Sequence, residues 1–386
     1  MQARDGVNAC TIVAPNYLPY ARVLARSFLE HHPDGRFCTL VLDVDELTGA
    51  DEPFEVLGPY DIGVPRAEVH RMAAIYDVKE LSTAVKPFLL AHLLDSSATE
   101  VVYFDPDIQV FAPVDDIARL AREHALVLTP HLLEPLPRDG LLPSERTILR
   151  CGIFNLGFVA VSRSARPFLD WWSERLARYC LVAVERGLFV DQRWVDLATG
   201  IFLHHILRDP ACNVAYWNVS ERDVRGTGER YEVDGRPLRF FHFSGFRPEA
   251  PNDLSAHTNG LGRTRLADVP AVARLCEEYA ARLYENGYGD EHRRYAFDTL
   301  PDGRLLDLAL RRAYRDELLA AERDGRPLPP DPFDPASAPD LESLWAAAGE
   351  RADTGARTRL ASLRRRLARA GRRARRIELE GSRGRS

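Results

Sequence analysis

Two acids one residue apart, Asp105 and Asp107, follow a run of residues that favours a buried strand, Glu100, Val101, Val102, Tyr103 and Phe104. Pro106 between them restricts the turn, because its ring fixes φ. A buried strand that ends in paired carboxylates sets them where open α/β sheets bind ligands, just past the carboxyl end. Two such charges are not both buried unpaired, since withdrawing each from water costs several kcal/mol. A divalent cation resolves that conflict, and hard oxygen ligands suit Mg2+ or Mn2+. The same pair also fits an ordinary turn with both acids in water, because aspartate is common in turns. Taken alone, Asp105-Pro106-Asp107 leaves both readings open.

The elements around the pair decide how it is held. Residues 9–14 are apolar and rich in β-formers, and Pro15-Asn16 breaks them. Tyr20, Val23, Leu24 and Phe28 then recur at helical spacing. Residues 37–42 form a second strand, so the opening is a βαβ unit and predicts a parallel sheet with a right-handed crossover. The spacing predicts helices over 66–76 and 78–94, with a break near Lys86 caused by Pro87. Further expectations are a helix over 114–124, strands over 125–128 and 152–161, and a helix after Ser164 as N-cap. The apolar face of that helix, Phe168, Trp171, Trp172, Leu176 and Tyr179, is expected in the core. A helix over about 191–207, a strand over 238–243 and helices over about 268–286 and 302–322 complete the pattern. Residues 130–147 contain four prolines and little periodicity. A loop that long in a compact domain usually has a function, here a lid or an acceptor contact.

The chain has 386 residues and a net charge of −6. The charge is uneven: residues 357–386 hold twelve arginines and two acids, on a helix pattern with a seam of Leu360, Leu363, Leu367, Ala370, Ala374 and Ile377. Such a segment suits an anionic membrane surface or a partner. It has no aromatic residue to stack on bases, so nucleic acid is not the expected partner. No apolar run reaches the ~20 residues of a membrane-spanning helix, and the first residues lack the pattern of a secretory leader. The expected setting is the cytoplasm, or peripheral on the inner face of the membrane. The six cysteines show no CxxC pair or zinc spacing and are expected to be packed thiols. Lys79 and Lys86 are the two lysines in an arginine-rich chain.

From here the chain resembles glycosyltransferases of the GT-A fold, in particular the retaining family that includes bacterial galactosyl- and glucosyltransferases and glycogenin. The resemblance spans roughly residues 8–250 and rests on segments in order. Val13-Ala14-Pro15-Asn16-Tyr17 looks like the first strand and nucleotide-contacting turn. Asp105-Pro106-Asp107 looks like the Asp-x-Asp. Phe154-Asn155-Leu156-Gly157 looks like the segment that lines the donor sugar, and Asp191-Gln192 like the donor-site pair. His242-Phe243-Ser244-Gly245 looks like the His-x-x-Gly that supplies a third metal ligand. The resemblance implies an α/β fold with a mostly parallel central sheet flanked by helices and a C-terminal helical extension. It implies a metal-dependent transferase that moves a hexose from a UDP-sugar to an acceptor hydroxyl, with retention.

The implied roles follow residue by residue. Asp105, Asp107 and His242 hold Mn2+ or Mg2+. Tyr17 stacks on the base, with Asn16 or the backbone of Ala14 at its edge. Lys86 and Arg247 contact phosphate. Asn155 and Gly157 line the donor, Asp191 grips its hydroxyls, and Gln192 lies near the reacting carbon. Arg247-Pro248 departs from the family, which sets Lys-Pro one residue later. The expected organisation is a transferase domain over 1–260, helices packed on it over 261–324, a proline-rich linker over 325–340 and the arginine-rich tail over 341–386. The acceptor, whether glycan, lipid-linked or small-molecule, is not legible, although 130–147 and 247–259 are placed to meet it.

Three other readings compete for these motifs. A phosphohydrolase using Asp-x-Asp would carry Thr or Val where Gln109 stands, and would place the motif at its first strand. A nucleotidyltransferase would open on a glycine-rich loop, and Pro15 to Pro19 contains no glycine. A non-catalytic sugar-nucleotide-binding protein of the same fold shares every feature named, since fold does not fix turnover.

Overall fold

The computed structural model describes residues 6–43, 51–96, 98–228, 230–290, 295–337, 339–342 and 344–346. The arginine-rich segment 357–386 lies outside the described residues. Two compact units divide the chain, Met1–Phe297 and Asp298–Ser386.

The first unit is built on a seven-stranded sheet. Its strands are β1 (Asn8–Val13), β2 (Arg36–Val41), β3 (Glu55–Leu57), β4 (Glu100–Phe104), β6 (Leu126–Pro130), β7 (Phe154–Ser162) and the short His205–Ile206. The order is His205–Ile206, β6, β7, β4, β1, β2, β3. β7 runs antiparallel to both β4 and β6, and the other pairings are parallel. This is the α/β architecture with a mostly parallel central sheet that the sequence resemblance implies. The central strands read as continuous apolar runs because both faces are covered.

The helices on these faces are α1 (Leu18–His31), α2 (Arg66–Ile75), α3 (Val78–Ala84), α4 (Lys86–Ser96), α5 (Asp115–His124), α6 (Glu145–Cys151), α7 (Arg166–Tyr179), α8 (Gln192–Ala198) and α9 (Pro270–Glu285). α1, α5 and the undersides of β1 and β4 share one core around Phe28, Phe104, Phe158 and Phe240. α9 packs Leu275, Tyr279 and Leu283 into a second core with Tyr20, Phe241 and Phe243. The ring of Phe243 stacks on Tyr279 at 3.6 Å between centroids.

Several expectations change in detail. Pro87 divides the region 78–94 into α3 and α4, so Lys86 opens a helix rather than lying inside one. The helix expected over 191–207 ends at Ala198, and the chain then pairs with β6 as a strand. Thr199-Gly200 ends that helix, for glycine is a poor helix former. α7 starts at Arg166, and Ser164 makes no side-chain cap there. On α7, Phe168, Trp172 and Leu176 are buried, whereas Tyr179 is exposed. Five of the cysteines are buried and Cys151 is partly so; all six are free thiols.

In the second unit, α10 (Leu308–Asp324) is capped by Asp307, whose carboxylate accepts from Leu310 N–H at 2.9 Å. Tyr314 stacks near Trp345 and donates to Pro330 O at 2.9 Å, which ties the proline-rich segment to this helix. Among the described residues, no helix is long and apolar enough to cross a membrane.

Candidate metal centre

The end of β4 is where three chain segments converge. β7 enters the sheet beside it, and the β4–β7 ladder runs to Phe104 opposite Phe158. Asp105 N–H extends it with one more bond, to Gly157 O at 2.7 Å. The chain then turns at Pro106, with Ile108 N–H bonding Asp105 O. It leaves the main sheet as β5 (Ile108–Val110), which pairs antiparallel with Phe240–His242. In that register His242 lies opposite Ile108, so the ladder delivers the imidazole to the two carboxylates.

One ligand atom from each of Asp105, Asp107 and His242 lies within 4.8 Å of the others. His242 Nε2 is 3.0 Å from Asp107 Oδ1 and 4.0 Å from Asp105 Oδ2. The carboxylate side chains are 30% and 22% exposed and that of His242 is 3% exposed, so the acids face solvent from a buried base. Burial pulls the imidazole down, but Asp107 and then Asp105 more than offset it and His242 titrates above its ordinary range. Burial pushes Asp107 up, and His242 beside it reverses this and holds the carboxyl below its ordinary range.

Lys86 and Asp191 stand beside this triad. Lys86 Nζ donates to Asp191 Oδ2 at 2.6 Å and to Leu156 O at 2.8 Å, and lies 3.8 Å from Asp105 Oδ1. Its ammonium also sits 4.3 Å above the Tyr103 ring, whose hydroxyl donates to Asp105 Oδ1. Burial disfavours the charged amine, yet Asp191 and Asp105 overcome it and Lys86 is held protonated beyond its usual range. Burial pushes the Asp191 carboxyl up despite the lysine. Asp191 occupies the N-cap position of α8 without capping it, because its side chain is turned to Lys86. Val190 just before it has φ 40°, a rare conformation for a β-branched residue. Backbone of this kind costs of order 1–3 kcal/mol and persists where its surroundings enforce it.

Gln192 is tied inward. Its Oε1 accepts from Leu156 N–H at 3.2 Å and its Nε2 donates to Cys151 O at 2.9 Å. Asn155 Nδ2 reaches the same Gln192 oxygen at 3.4 Å. Gly157 is where the backbone passes His242: a Cβ there would lie 2.2 Å from the ring's Cε1. Gly245 turns the chain after His242-Phe243-Ser244 at φ 72°, and a Cβ there would meet Ser255 and His257.

The first turn lies at the same sheet end. Ala14 is buried and accepts from Tyr17 N–H at 2.9 Å, while Asn16 is exposed. Tyr17 is 43% exposed and stacks on Tyr20 at 4.8 Å. Burial and the charge of Asp107 both push its phenol up. Arg247 stands apart: its guanidinium is more than half exposed and pairs with Asp253 at 3.5 Å.

Four participants were not singled out from the sequence. Asn213 sits between Thr129, Asn155 and His242. Asn218 holds the loop of Asn213, and Trp217 packs edge-on against His242. His131 is buried beside Trp217, and burial lowers it to about 4. Asn213 and Asn218 carry only a turn-like signal in the sequence, for asparagine is common in turns, and His131 carries none.

The two carboxylates suit Mn2+ or Mg2+, whereas an imidazole nitrogen is a ligand for transition metals, so the mixed set fits Mn2+ better than Mg2+. Three carboxylates against one ammonium leave net negative charge that a divalent cation would neutralise.

No protein-family profile matches the chain. Two proteins of Bacillus subtilis strain 168 are similar in sequence. The uncharacterized protein YfnF is 26% identical over 218 residues, 54% of this chain and 70% of YfnF. The uncharacterized protein YfnD is 30% identical over 177 residues, 43% of this chain and 54% of YfnD. Among solved structures, the galactosyltransferase LgtC in complex with donor and acceptor sugar analogs is 16% identical, with a TM-score of 0.41 over 71% of this chain and 95% of LgtC. The glycosyltransferase GlyE of Streptococcus pneumoniae TIGR4 is 14% identical, with a TM-score of 0.39 over 72% of this chain and 62% of GlyE. The chain is thus remotely similar to solved glycosyltransferases, and these two proteins of Bacillus subtilis are both described as uncharacterized.

Proposed function

We propose that this protein transfers a hexose from a nucleotide sugar, a UDP-sugar by the motif resemblance, to a hydroxyl of a glycan, lipid-linked or small-molecule acceptor. The observation that carries the reading is the convergence of Asp105, Asp107 and His242 at one sheet end, with the buried Lys86–Asp191 pair beside them. Asp105, Asp107 and the Nε2 of His242 would hold a divalent cation, which would supply Lewis-acid stabilisation to a diphosphate leaving group.

The chain's own groups do the rest. Lys86 fixes Asp191 through a charge-assisted bond and leaves its Oδ1 to accept from donor hydroxyls. Lys86 also adds positive charge beside the leaving group. Asn155 and Gln192 lock the start of β7, so the strand edge that faces the donor does not move with it. Tyr17 offers an exposed ring to the base, supported from behind by Tyr20. Retention, with the acceptor attacking from the face that the diphosphate leaves, is what the motif resemblance implies.

Incubation with UDP-hexoses and Mn2+ tests this. Slow Mn2+-dependent donor hydrolysis is expected, with the anomeric proton of the first product in the donor's configuration by NMR. Absence of turnover with every nucleotide sugar, or of any Mn2+ requirement, would overturn it. Contact of the arginine-rich tail with anionic membrane is part of the proposal, and requires sedimentation with anionic but not neutral vesicles.

A further inference from the structure

Two backbone amides fix the direction of the Asn155, Gln192 and Asn213 side-chain amides behind the metal centre. Gly157 N–H can only donate, and its partner at 3.2 Å is Asn155 Oδ1. Leu156 N–H likewise points Gln192 Oε1 inward, and that oxygen faces Asn155 Nδ2. Both constraints agree: the Asn155 oxygen faces Gly157 and its nitrogen faces Gln192. The same Asn155 oxygen lies 3.0 Å from the amide of Asn213, which must therefore present its NH2. Thr129 Oγ1 takes the other N–H at 2.8 Å. The Asn213 oxygen is left facing His242 Nδ1 at 3.3 Å. An amide oxygen only accepts, so Nδ1 has to carry a proton.

The rest of the setting holds this arrangement still. Asn213 has φ 52°, a left-handed conformation that asparagine tolerates better than most residues. Asn218 grips it, donating to Asn213 O at 3.0 Å and accepting from Ala215 N–H at 2.9 Å. The Gly157 backbone closes one side of the imidazole, and Trp217 stands edge-on at 5.2 Å.

We propose that Asn213 is a positioning residue that keeps the proton of His242 on Nδ1, so that Nε2 alone is offered to a cation with Asp105 and Asp107. The proposal rests on reading those three residues as metal ligands. Asn213 touches neither donor nor cation and acts through His242. In metal sites the partner of the second ring nitrogen fixes tautomer and ring orientation, and its loss costs about 10–100-fold in affinity.

The test uses the full chain. Long-range 1H–15N spectra, with His242 assigned by its loss in His242→Gln, are recorded metal-free and with Zn2+ as a diamagnetic stand-in. Nδ1 is expected to be protonated in both states, and only Nε2 to change on loading. Mn2+ titrations of the parent, Asn213→Leu and Asn213→Asp accompany them. Asn213→Leu is expected to bind about 10–100-fold more weakly. Asn213→Asp keeps an acceptor at Nδ1 but sets its second oxygen against Asn155 Oδ1, so it is expected to recover only part of that loss. An unprotonated Nδ1 in either state, or parental affinity in Asn213→Leu, overturns the proposal. Should Asn213→Leu not fold, the parent's Nδ1 signal decides. Failure of the parent to bind Mn2+ at all defeats the metal-ligand reading itself, whereas binding with an unprotonated Nδ1 defeats only the role of Asn213.

Discussion

Lys86→Met would remove the ammonium that bonds Asp191 at 2.6 Å and Leu156 O at 2.8 Å. The methionine fills much the same volume, so the change is chiefly electrostatic. Asp191 is 2% exposed and would be left charged with no cation against it, or forced to take up a proton. Breaking a buried pair from one side costs about 3–5 kcal/mol. Asp191→Leu breaks it from the other side and strands a buried ammonium, partly relieved by Asp105 at 3.8 Å, so its loss belongs at the low end of that range. Replacing both residues leaves no uncompensated charge. The double variant should therefore be less destabilised than the sum of the singles by roughly 3 kcal/mol, the upper range for directly coupled residues. Urea unfolding at pH 7, followed by tryptophan fluorescence, measures all four proteins. Trp172 is a suitable reporter because its indole donates to Asp191 O at 3.2 Å. Single losses below about 1 kcal/mol, or additivity within about 0.5 kcal/mol, would show that the pair is not electrostatically coupled as described.

Three further outcomes follow from the same geometry. Mn2+ affinity should fall about tenfold per pH unit below the raised titration point of His242, where a proton on Nε2 competes with the cation, and level off above it; calorimetry from pH 5.5 upward on the scale of about one unit per step checks this, and a flat profile refutes it. Gly157→Ala would force His242 aside, since the new Cβ falls 2.2 Å from the ring, and should cost about 1–3 kcal/mol in stability together with Mn2+ affinity. His131, held near 4 when folded against its ordinary 6.5, binds more protons unfolded, so stability falls as pH drops from 6.5 towards 4. That loss is about 3 kcal/mol, and His131→Asn should flatten this part of the pH profile in acid-range urea melts.

The legible part of the fold was the part written in local periodicity. β4 was bounded from its apolar run, and the βαβ opening gave the parallel pairing of β1 and β2. Asp105 could be placed at a strand end for that reason alone. The break at Pro87 was visible, but not that it aims Lys86 at Asp191, 105 residues away. Residues 199–204 keep enough apolar character to imitate a continued helix, and only the pairing of His205–Ile206 with β6 turns the chain into a strand. Asn213 and His131 are not legible in the sequence because their partners are remote, Thr129 lying 84 residues from Asn213 and Asn155 lying 24 from His131. Arg247 had the right type in nearly the right place, but its charge is spent on Asp253 at the surface.

The most direct test is a melting-temperature screen of nucleotide sugars with and without Mn2+, run on the parent and on Asp107→Ala. A ligand that binds only the folded state adds about 2.7 kcal/mol at a hundred times its Kd. At least one nucleotide sugar should stabilise the parent in a Mn2+-dependent way, and Asp107→Ala should abolish the Mn2+ contribution. No shift with any nucleotide sugar, or an undiminished Mn2+ effect in Asp107→Ala, would contradict a donor site built on Asp105, Asp107 and His242.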